Sequence, residues 1–351
     1  MKRFIIVFSL FLSLASVFTS CSTKVDLYAD YKDIPVVYGL IDATLDTNYI
    51  KIIRAFSGSN GNSINANDIA LIPDSNNYPG KLDARIYEYK ASMSSSSYYP
   101  TGRVFLLDTT TIRDKESGTF YAPDQKVYFT TEHFNTNDAQ RHIKYKYRLE
   151  VFKGTDTISG ETNIVGGENF YISNNTVDMD PSSQAASKLK FFAADNAALY
   201  EIKMRFTYKE IKQGHDTVNQ KIEWSLGTFH ISDMTAHEVG THVYYELVYD
   251  SRKLFDMLGS KIGDDTFNVE RLIGKFDVMI AAGGYELYDY IEVSSPSSSI
   301  AQSVSDYTNI NGGYGVLSSR VNISKTVNLT SNTITALIAK EDWGFRQDLG
   351  K

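Results

Sequence analysis

The segment from His237 to His242 carries the most suggestive chemical pattern in the chain, because Glu238 follows the first histidine and a second histidine closes it. A zinc protease of the zincin type needs histidines four positions apart, so that both lie on one helix face beside the metal. Here the spacing is five, which rotates the second histidine by about 500° along a helix. On a single strand the two would face opposite sides. We therefore predict no metal site, and a polar connection between a hairpin and a following helix.

The other chemical patterns are also incomplete. No Gly-x-Ser-x-Gly segment, which positions the nucleophile of many serine hydrolases, occurs in the sequence. Gly312-Gly313-Tyr314-Gly315 precedes an apolar run, which predicts a tight turn or bulge rather than a phosphate-binding loop. Asp264-Asp265 with Glu270 lacks the order and the glycine of an EF-hand, so we predict a solvated loop. We predict no catalytic residue and no cofactor.

The start of the chain is typical of an exported protein. Met1-Lys2-Arg3 is positively charged, and residues 4–18 are apolar apart from serines. Cys21 is the only cysteine, and Phe18-Thr19-Ser20-Cys21 resembles the site at which bacterial lipoproteins are cleaved and acylated, with Phe18 in place of leucine. We predict a lipoprotein signal peptide over residues 1–20 and lipidation of Cys21. An ordinary signal peptide followed by an incidental cysteine is the alternative.

Charge and composition limit the partners. The chain has 35 basic and 42 acidic residues, and this net charge of −7 argues against a nucleic-acid partner. With its one cysteine acylated the chain would form no disulfide, and its acyl chains would hold it to a membrane without crossing it. A content of 42% hydrophobic and 22% charged residues is typical of a folded protein, and 351 residues predict two domains.

A polar tether over residues 21–33 leads into a strand-rich half. Short apolar runs alternate with polar turns, and residues 57–80 form a long Ser, Asn and Gly-rich excursion. Residues 143–152 give the clearest strand, because Tyr145, Tyr147 and Leu149 alternate with charged residues. We predict a mainly β protein, with a β-sandwich domain over residues 34–173 and a linker over residues 174–188.

The second half, residues 189–351, predicts an α+β domain built on antiparallel hairpins. A long hairpin around a turn at residues 213–216 has an apolar face. The residues of that face are Tyr200, Ile202, Met204, Phe206, Tyr208, Ile222, Trp224 and Leu226. Apolar spacing of three and four predicts an amphipathic helix over residues 244–259. Residues 272–282 and 315–329 predict strands, and residues 284–293 and 331–339 predict short helices, the last one capped by Ser331-Asn332.

These landmarks together resemble the Bacteroidota outer-membrane lipoproteins catalogued as domain of unknown function 4249. The landmarks are Cys21, the strand over residues 34–42, the hairpin from Tyr208-Lys209-Glu210 to Trp224, Tyr244-Tyr245, and the segment 309–316. The resemblance implies an N-terminal immunoglobulin-like or prealbumin-like sandwich, and genes that often lie beside TonB-dependent outer-membrane receptors. It implies no catalytic residues, because the family has no assigned activity. The long excursion at residues 57–80 departs from the family.

Three classes of function follow from these observations. The leading one is a non-enzymatic lipoprotein that is anchored in the outer membrane and is a partner of an outer-membrane transporter. Of the two faces of this membrane, we favour the cell surface over the periplasmic face. A surface adhesin or structural component is the second class. A hydrolase whose site the sequence does not reveal is the third.

Three threonines match a short glycosylation pattern of secreted Bacteroidota proteins. Thr109, Thr157 and Thr217 each follow an aspartate and precede threonine, isoleucine or valine. About one such triplet is expected by chance in a chain of this composition. All three follow predicted strand ends or turns, where a glycan would displace no core. We predict O-glycosylation at these positions. The alternative is that aspartate and threonine occur there only because they are common in turns and at strand starts.

Overall fold

The computed structural model describes residues 32–57, 76–113, 124–183, 186–212, 214–262, 269–294 and 307–347. Over these ranges the protein is mainly β, with 59% strand and three α-helices, as the alternating apolar patterns predict.

The strands are numbered in chain order. They are β1 (Lys32–Ile41), β2 (Asn48–Ser57), β3 (Asp83–Ser92), β4 (Tyr99–Leu106), β5 (Asp108–Ile112), β6 (Gln125–Thr130), β7 (Ile143–Lys153), β8 (Asp156–Asn163), β9 (Thr176–Val177), β10 (Ser187–Phe192), β11 (Ala197–Lys212), β12 (Val218–His230), β13 (Ala236–Val239), β14 (His242–Tyr249), β15 (Val269–Gly284), β16 (Ile310–Asn311), β17 (Tyr314–Leu329) and β18 (Phe345–Gln347). The helices are α1 (Ser251–Lys261), α2 (Tyr285–Ser294) and α3 (Ser331–Ala339), with 3₁₀ turns at Ile231–Asp233 and Glu341–Trp343.

The strands form three sheets. The largest has ten strands in the order β12-β11-β15-β17-β1-β2-β6-β5, with β18 beside β15 and β9 beside β17. Within this order only β1 and β17 run parallel, and their register pairs Val36 with Tyr314 through to Ile41 with Ser319. A five-stranded antiparallel sheet has the order β16-β8-β7-β3-β4, and a three-stranded antiparallel sheet has the order β10-β14-β13.

The first hydrophobic core contains side chains from both larger sheets. Ile52 and Tyr128 come from the ten-stranded sheet, and Ile86 and Leu149 come from the five-stranded sheet. The alternation predicted for residues 143–152 is confirmed, because Leu149 is buried between the half-exposed Arg148 and Glu150. Each such fully buried apolar side chain stabilises the fold by about 1.5–3 kcal/mol.

The second core lies on the apolar face of the β11–β12 hairpin. Tyr200, Ile202, Met204, Phe206, Tyr208, Ile222 and Trp224 are all buried there, which confirms the predicted face. Leu254 and Leu258 of α1 and Leu337 of α3 pack into the same cluster. The apolar stripe of α1 is therefore buried in this core.

Strand β17 takes part in both cores. Leu317 belongs to the first cluster, while Val321 and Val327 belong to the second. Through its pairing with β1 on one side and β15 on the other, this strand connects elements of the two predicted domain ranges. Residues 174–188, which the sequence predicts as a linker, include β9, and β9 pairs with β17.

The helix predicted over residues 244–259 is wrong in its first half. Residues up to Tyr249 form strand β14, which pairs with β10 and β13. The helix begins only at Ser251, because the carboxylate of Asp250 accepts hydrogen bonds from the backbone N–H groups of Arg252 and Lys253. Tyr244, Leu247 and Val248 fit a helical spacing by coincidence. The side chains of this segment that pack into the second core follow the period of two of a strand, and they are Val243, Tyr245, Leu247 and Tyr249.

The last helix is confirmed, but its cap is not the predicted Ser331-Asn332. Thr330 is the N-cap of α3, and its hydroxyl accepts a hydrogen bond from the Thr333 N–H at 3.2 Å. The same hydroxyl donates to Asp178 at 2.8 Å, so the helix start is tied to the segment that follows β9.

Candidate functional site

A groove of about 1030 Å³ lies between β12, β14 and the first turns of α1. Trp224 and Phe229 line it from β12, Val248 lines it from β14, and Arg252 and Met257 line it from α1. Ser183 and Ala186, before β10, lie at its end. The groove therefore combines an apolar surface with charged groups at the start of a helix.

Strand β12 is positioned as the edge of the ten-stranded sheet. Among the residues that the structure describes, its only strand partner is β11. The register shifts opposite Ile202 and Lys203, because Gly227 pairs with Ile202 while Ser225 pairs with Lys203. This β-bulge leaves Leu226 unpaired and bends the edge strand beside the groove.

Trp224 contributes a buried polar group to the groove wall. Its side chain is only 2% exposed, and its ring stacks against Phe276 with 6.0 Å between ring centroids. The indole Nε1 has no hydrogen-bond acceptor within the described part of the chain. A buried donor without an acceptor costs about 1–3 kcal/mol, so an acceptor supplied by a ligand would be stabilised there.

The charges around the groove are unequal. Arg252 and Lys253 are exposed cations, and Asp250 is the one acidic residue among the lining side chains. The Asp250 carboxylate accepts from the Arg252 N–H at 3.0 Å and from the Lys253 N–H at 3.4 Å. Because this carboxylate already caps the helix, the groove offers net positive charge to a ligand.

A second polar cluster surrounds Glu286 at the start of α2. Its carboxylate accepts hydrogen bonds from the Thr162 hydroxyl and the Ser318 hydroxyl, each at 3.1 Å. Burial raises the pKa of the Glu286 carboxyl, and the two hydroxyl groups offset part of this rise. The cluster joins β8, β17 and α2, and we interpret it as structural.

Replacing Glu286 with glutamine is expected to change how stability depends on pH. A carboxyl whose pKa is higher in the folded than in the unfolded protein stabilises the fold below its unfolded pKa of about 4.3. That contribution is lost as the pH rises through the folded pKa, so Glu286→Gln should gain stability relative to the wild type between pH 4 and neutrality. Urea midpoints measured across this range test the prediction.

Glu223→Gln is the matched control for that series. Arg205 lowers the pKa of the exposed Glu223 carboxyl, so its variant should lose stability relative to the wild type as the pH rises. If the stability of the wild type and that of Glu286→Gln depend on pH in the same way, the raised pKa of the Glu286 carboxyl is contradicted.

The segment from His237 to His242 forms a hairpin, because β13 ends at Val239 and β14 begins at His242. The predicted polar connection is therefore a hairpin and not a single strand, and its register places both histidines on one face across the turn. The His237 ring stacks on Tyr244 with 5.0 Å between centroids. No group of three His, Cys, Asp or Glu side chains that could hold a metal occurs among the described residues.

A serine–histidine contact that the sequence analysis did not single out lies at residues 230–233. The Ser232 hydroxyl is 2.7 Å from His230 Nδ1, and it also contacts the Asp233 carboxylate at 3.3 Å. A catalytic triad needs the acid on the other ring nitrogen of the histidine, whereas here it contacts the serine. The contact belongs to a cap, since His230 also accepts from the Ser232 N–H at the start of the 3₁₀ turn.

The predicted glycosylation sites differ in exposure. Thr157 is exposed at the start of β8, and Thr217 is exposed in the turn before β12. Thr109 is half-buried, and it lies within β5 rather than after a strand end. The structure therefore favours Thr157 and Thr217 as the accessible sites.

Some predicted residues lie outside the described ranges. These are the signal peptide, Cys21 and the tether up to residue 31, residues 58–75 of the excursion, and Asp264-Asp265. Glu270, predicted in a solvated loop, lies instead on β15, where its carboxylate is 3.5 Å from Arg346. Within the described ranges no helix has the length and apolar composition needed to span a bilayer.

No protein-family model matches the chain, and no curated protein matches it either.

Proposed function

We propose that this protein is a non-enzymatic lipoprotein of the outer membrane that binds a protein partner, with a TonB-dependent transporter as that partner. The open groove beside β12 carries the binding part of the proposal. Apolar Val248 and Met257 line it and remain 57% and 41% exposed. Exposed apolar side chains gathered at one concave site are typical of a surface that a partner covers.

The proposal includes a finer description of the fold. Both larger sheets contribute side chains to the first core, which supports a β-sandwich of immunoglobulin-like or prealbumin-like type. The three-stranded sheet, α1 and α3 around the second core support an α+β unit beside it.

Replacing Cys21 with serine is expected to release the protein from the membrane. Serine lacks the thiol that acylation requires, so the variant should stay unprocessed or enter soluble fractions. Labelling with an alkyne fatty acid, followed by fractionation, measures both effects. The wild type should take up the label, and labelling of Cys21→Ser would show that the anchor is assigned wrongly.

Affinity purification of the acylated full chain from detergent-solubilised outer membrane tests the partner. The proposal predicts that a TonB-dependent transporter is recovered in stoichiometric amount. Recovery of no envelope protein, from membranes in which Cys21 is acylated, would overturn the proposed function while leaving the anchor intact.

The native protein is expected to carry glycans on its exposed threonines. Its intact mass should exceed that of the acylated chain by whole sugar residues, and this excess should fall in the double variant Thr157→Ala with Thr217→Ala. Thr109→Ala, at the half-buried position, is the control and should leave the mass excess unchanged. A native mass equal to that of the acylated chain alone would reject glycosylation.

A further inference from the structure

The edge of β12 has backbone groups without a strand partner. In an antiparallel pair, every second residue directs its N–H and C=O groups away from its neighbour. β11 is the only strand beside β12 in the described ranges, and Trp224, Ser225 and Leu226 of β12 line the groove, so alternate residues of this stretch have backbone groups without a strand partner at the groove. An unpaired edge of this kind is a template for a further strand.

The opposite wall supplies apolar contacts at the right place for such a strand. Leu247 and Val248 of β14, together with Leu254 and Met257 of α1, line it across from β12. Side chains on one face of an added strand would meet this wall at every second position, since successive side chains of a strand point to opposite faces.

Two polar features define the ligand further. Trp224 Nε1 is a buried donor that lacks an acceptor among the described residues, and a peptide carbonyl is such an acceptor. The Asp250 carboxylate accepts from the backbone N–H groups of Arg252 and Lys253, and the side chains of these two residues add positive charge to the groove. A sugar fits less well, because Trp224 is 2% exposed and offers no free ring face for stacking.

We infer that the groove binds an extended peptide segment of the partner protein, which adds to the edge of β12 as a further strand. The segment has apolar residues at alternate positions and an acidic residue that lies beside Arg252 and Lys253. This inference rests on the proposed function, and it deepens that function by naming how the partner is held. Main-chain hydrogen bonds to β12 supply affinity, and the apolar wall and the two cations supply specificity.

A displayed library of random nonapeptides, selected on the purified full chain, tests the inference. The wild type should enrich peptides with alternate apolar residues and at least one aspartate or glutamate. Val248→Glu places a charge on the groove wall and should raise the Kd of an enriched peptide more than about tenfold. Val239→Glu is the matched control, because Val239 is 50% exposed on β13 and does not line the groove, and its effect should stay within about twofold.

Backbone methylation of an enriched peptide separates strand addition from side-chain binding. Two methylated peptides are compared, one with methyl groups on the odd-numbered amide nitrogens and one with them on the even-numbered nitrogens. The phase of methylation that blocks the hydrogen bonds to β12 should weaken binding by about tenfold, and the other phase by less than about twofold. Only a peptide that pairs with β12 through every second residue gives this alternation.

Trp224→Phe provides an independent readout. It removes the Nε1 donor and keeps an aromatic ring, so peptide affinity should fall about fivefold to tenfold. The smaller ring leaves a cavity in the core, so the melting temperature of the free protein should fall, and affinity is measured at a temperature at which both proteins are folded.

Three results would overturn the inference. They are the absence of any peptide enriched on the wild type above Val248→Glu, binding that is indifferent to the phase of methylation, and unchanged peptide affinity in folded Trp224→Phe. Recovery of the transporter by Val248→Glu protein would reject the groove as the docking site while the proposed function stands.

Discussion

Gly315→Ala is expected to destabilise the protein by more than about 3 kcal/mol. Gly315 has φ +106, a backbone conformation that favours glycine, and it pairs with Val37 across the parallel β1–β17 contact. A Cβ atom at this position would overlap the backbone carbonyl of Val37, which cannot move without separating the two strands. Urea denaturation followed by circular dichroism measures the loss.

Gly102→Ala separates the steric overlap from the backbone preference. Gly102 has a similar φ of +86, but a Cβ there would meet no atom within 4 Å. We expect this variant to lose only about 1–2 kcal/mol. Equal losses for the two variants would show that the β1–β17 contact does not limit stability.

Glu210→Ala is the second variant with a large expected effect. Glu210 and Arg271 form a buried ion pair between β11 and β15, with Arg271 Nε 3.1 Å from the carboxylate and side-chain exposures of 11% for Glu210 and 4% for Arg271. Arg271 also donates to the Trp343 carbonyl at 2.7 Å. Removing the carboxylate breaks this buried ion pair, which costs about 3–5 kcal/mol.

The exposed pair between Arg205 and Glu223 is the control for this comparison. It joins β11 to β12 with an Arg205 Nε to Glu223 distance of 2.7 Å and side-chain exposures of 35% and 40%. Glu223→Ala should therefore lose at most about 1 kcal/mol. If both variants shift the urea midpoint by the same amount, burial does not decide the contribution of these pairs.

Local patterns predict some elements well. The apolar face from Tyr200 to Tyr208 is correct because a half-buried antiparallel strand leaves a period of two in the sequence. The turn at residues 312–315 is also confirmed between β16 and β17. The structure explains the Asn309 landmark, since its amide accepts from the Leu317 N–H at 2.9 Å and donates to the Leu317 carbonyl at 2.7 Å.

Long-range pairing explains what the sequence does not predict. β1 pairs with β17, although the two strands lie far apart in the sequence. The apolar alternation within a strand does not indicate which other strand it pairs with. The local pattern predicts a helix over part of the strand His242–Tyr249, because the pairing of this strand with β10 lies outside any local window. The burial of Trp224 is predictable, whereas its missing acceptor and the free edge of β12 depend on the complete sheet order.

Photo-crosslinking in intact cells tests the central claim most directly. A photoreactive amino acid replaces Val248 in the groove of the acylated chain, and Val239 on β13 in a matched chain. The proposed function predicts an adduct with an outer-membrane transporter from position 248, and none from position 239. No adduct at position 248, in cells where the protein is acylated and folded, would contradict the claim that this protein binds its partner through the groove.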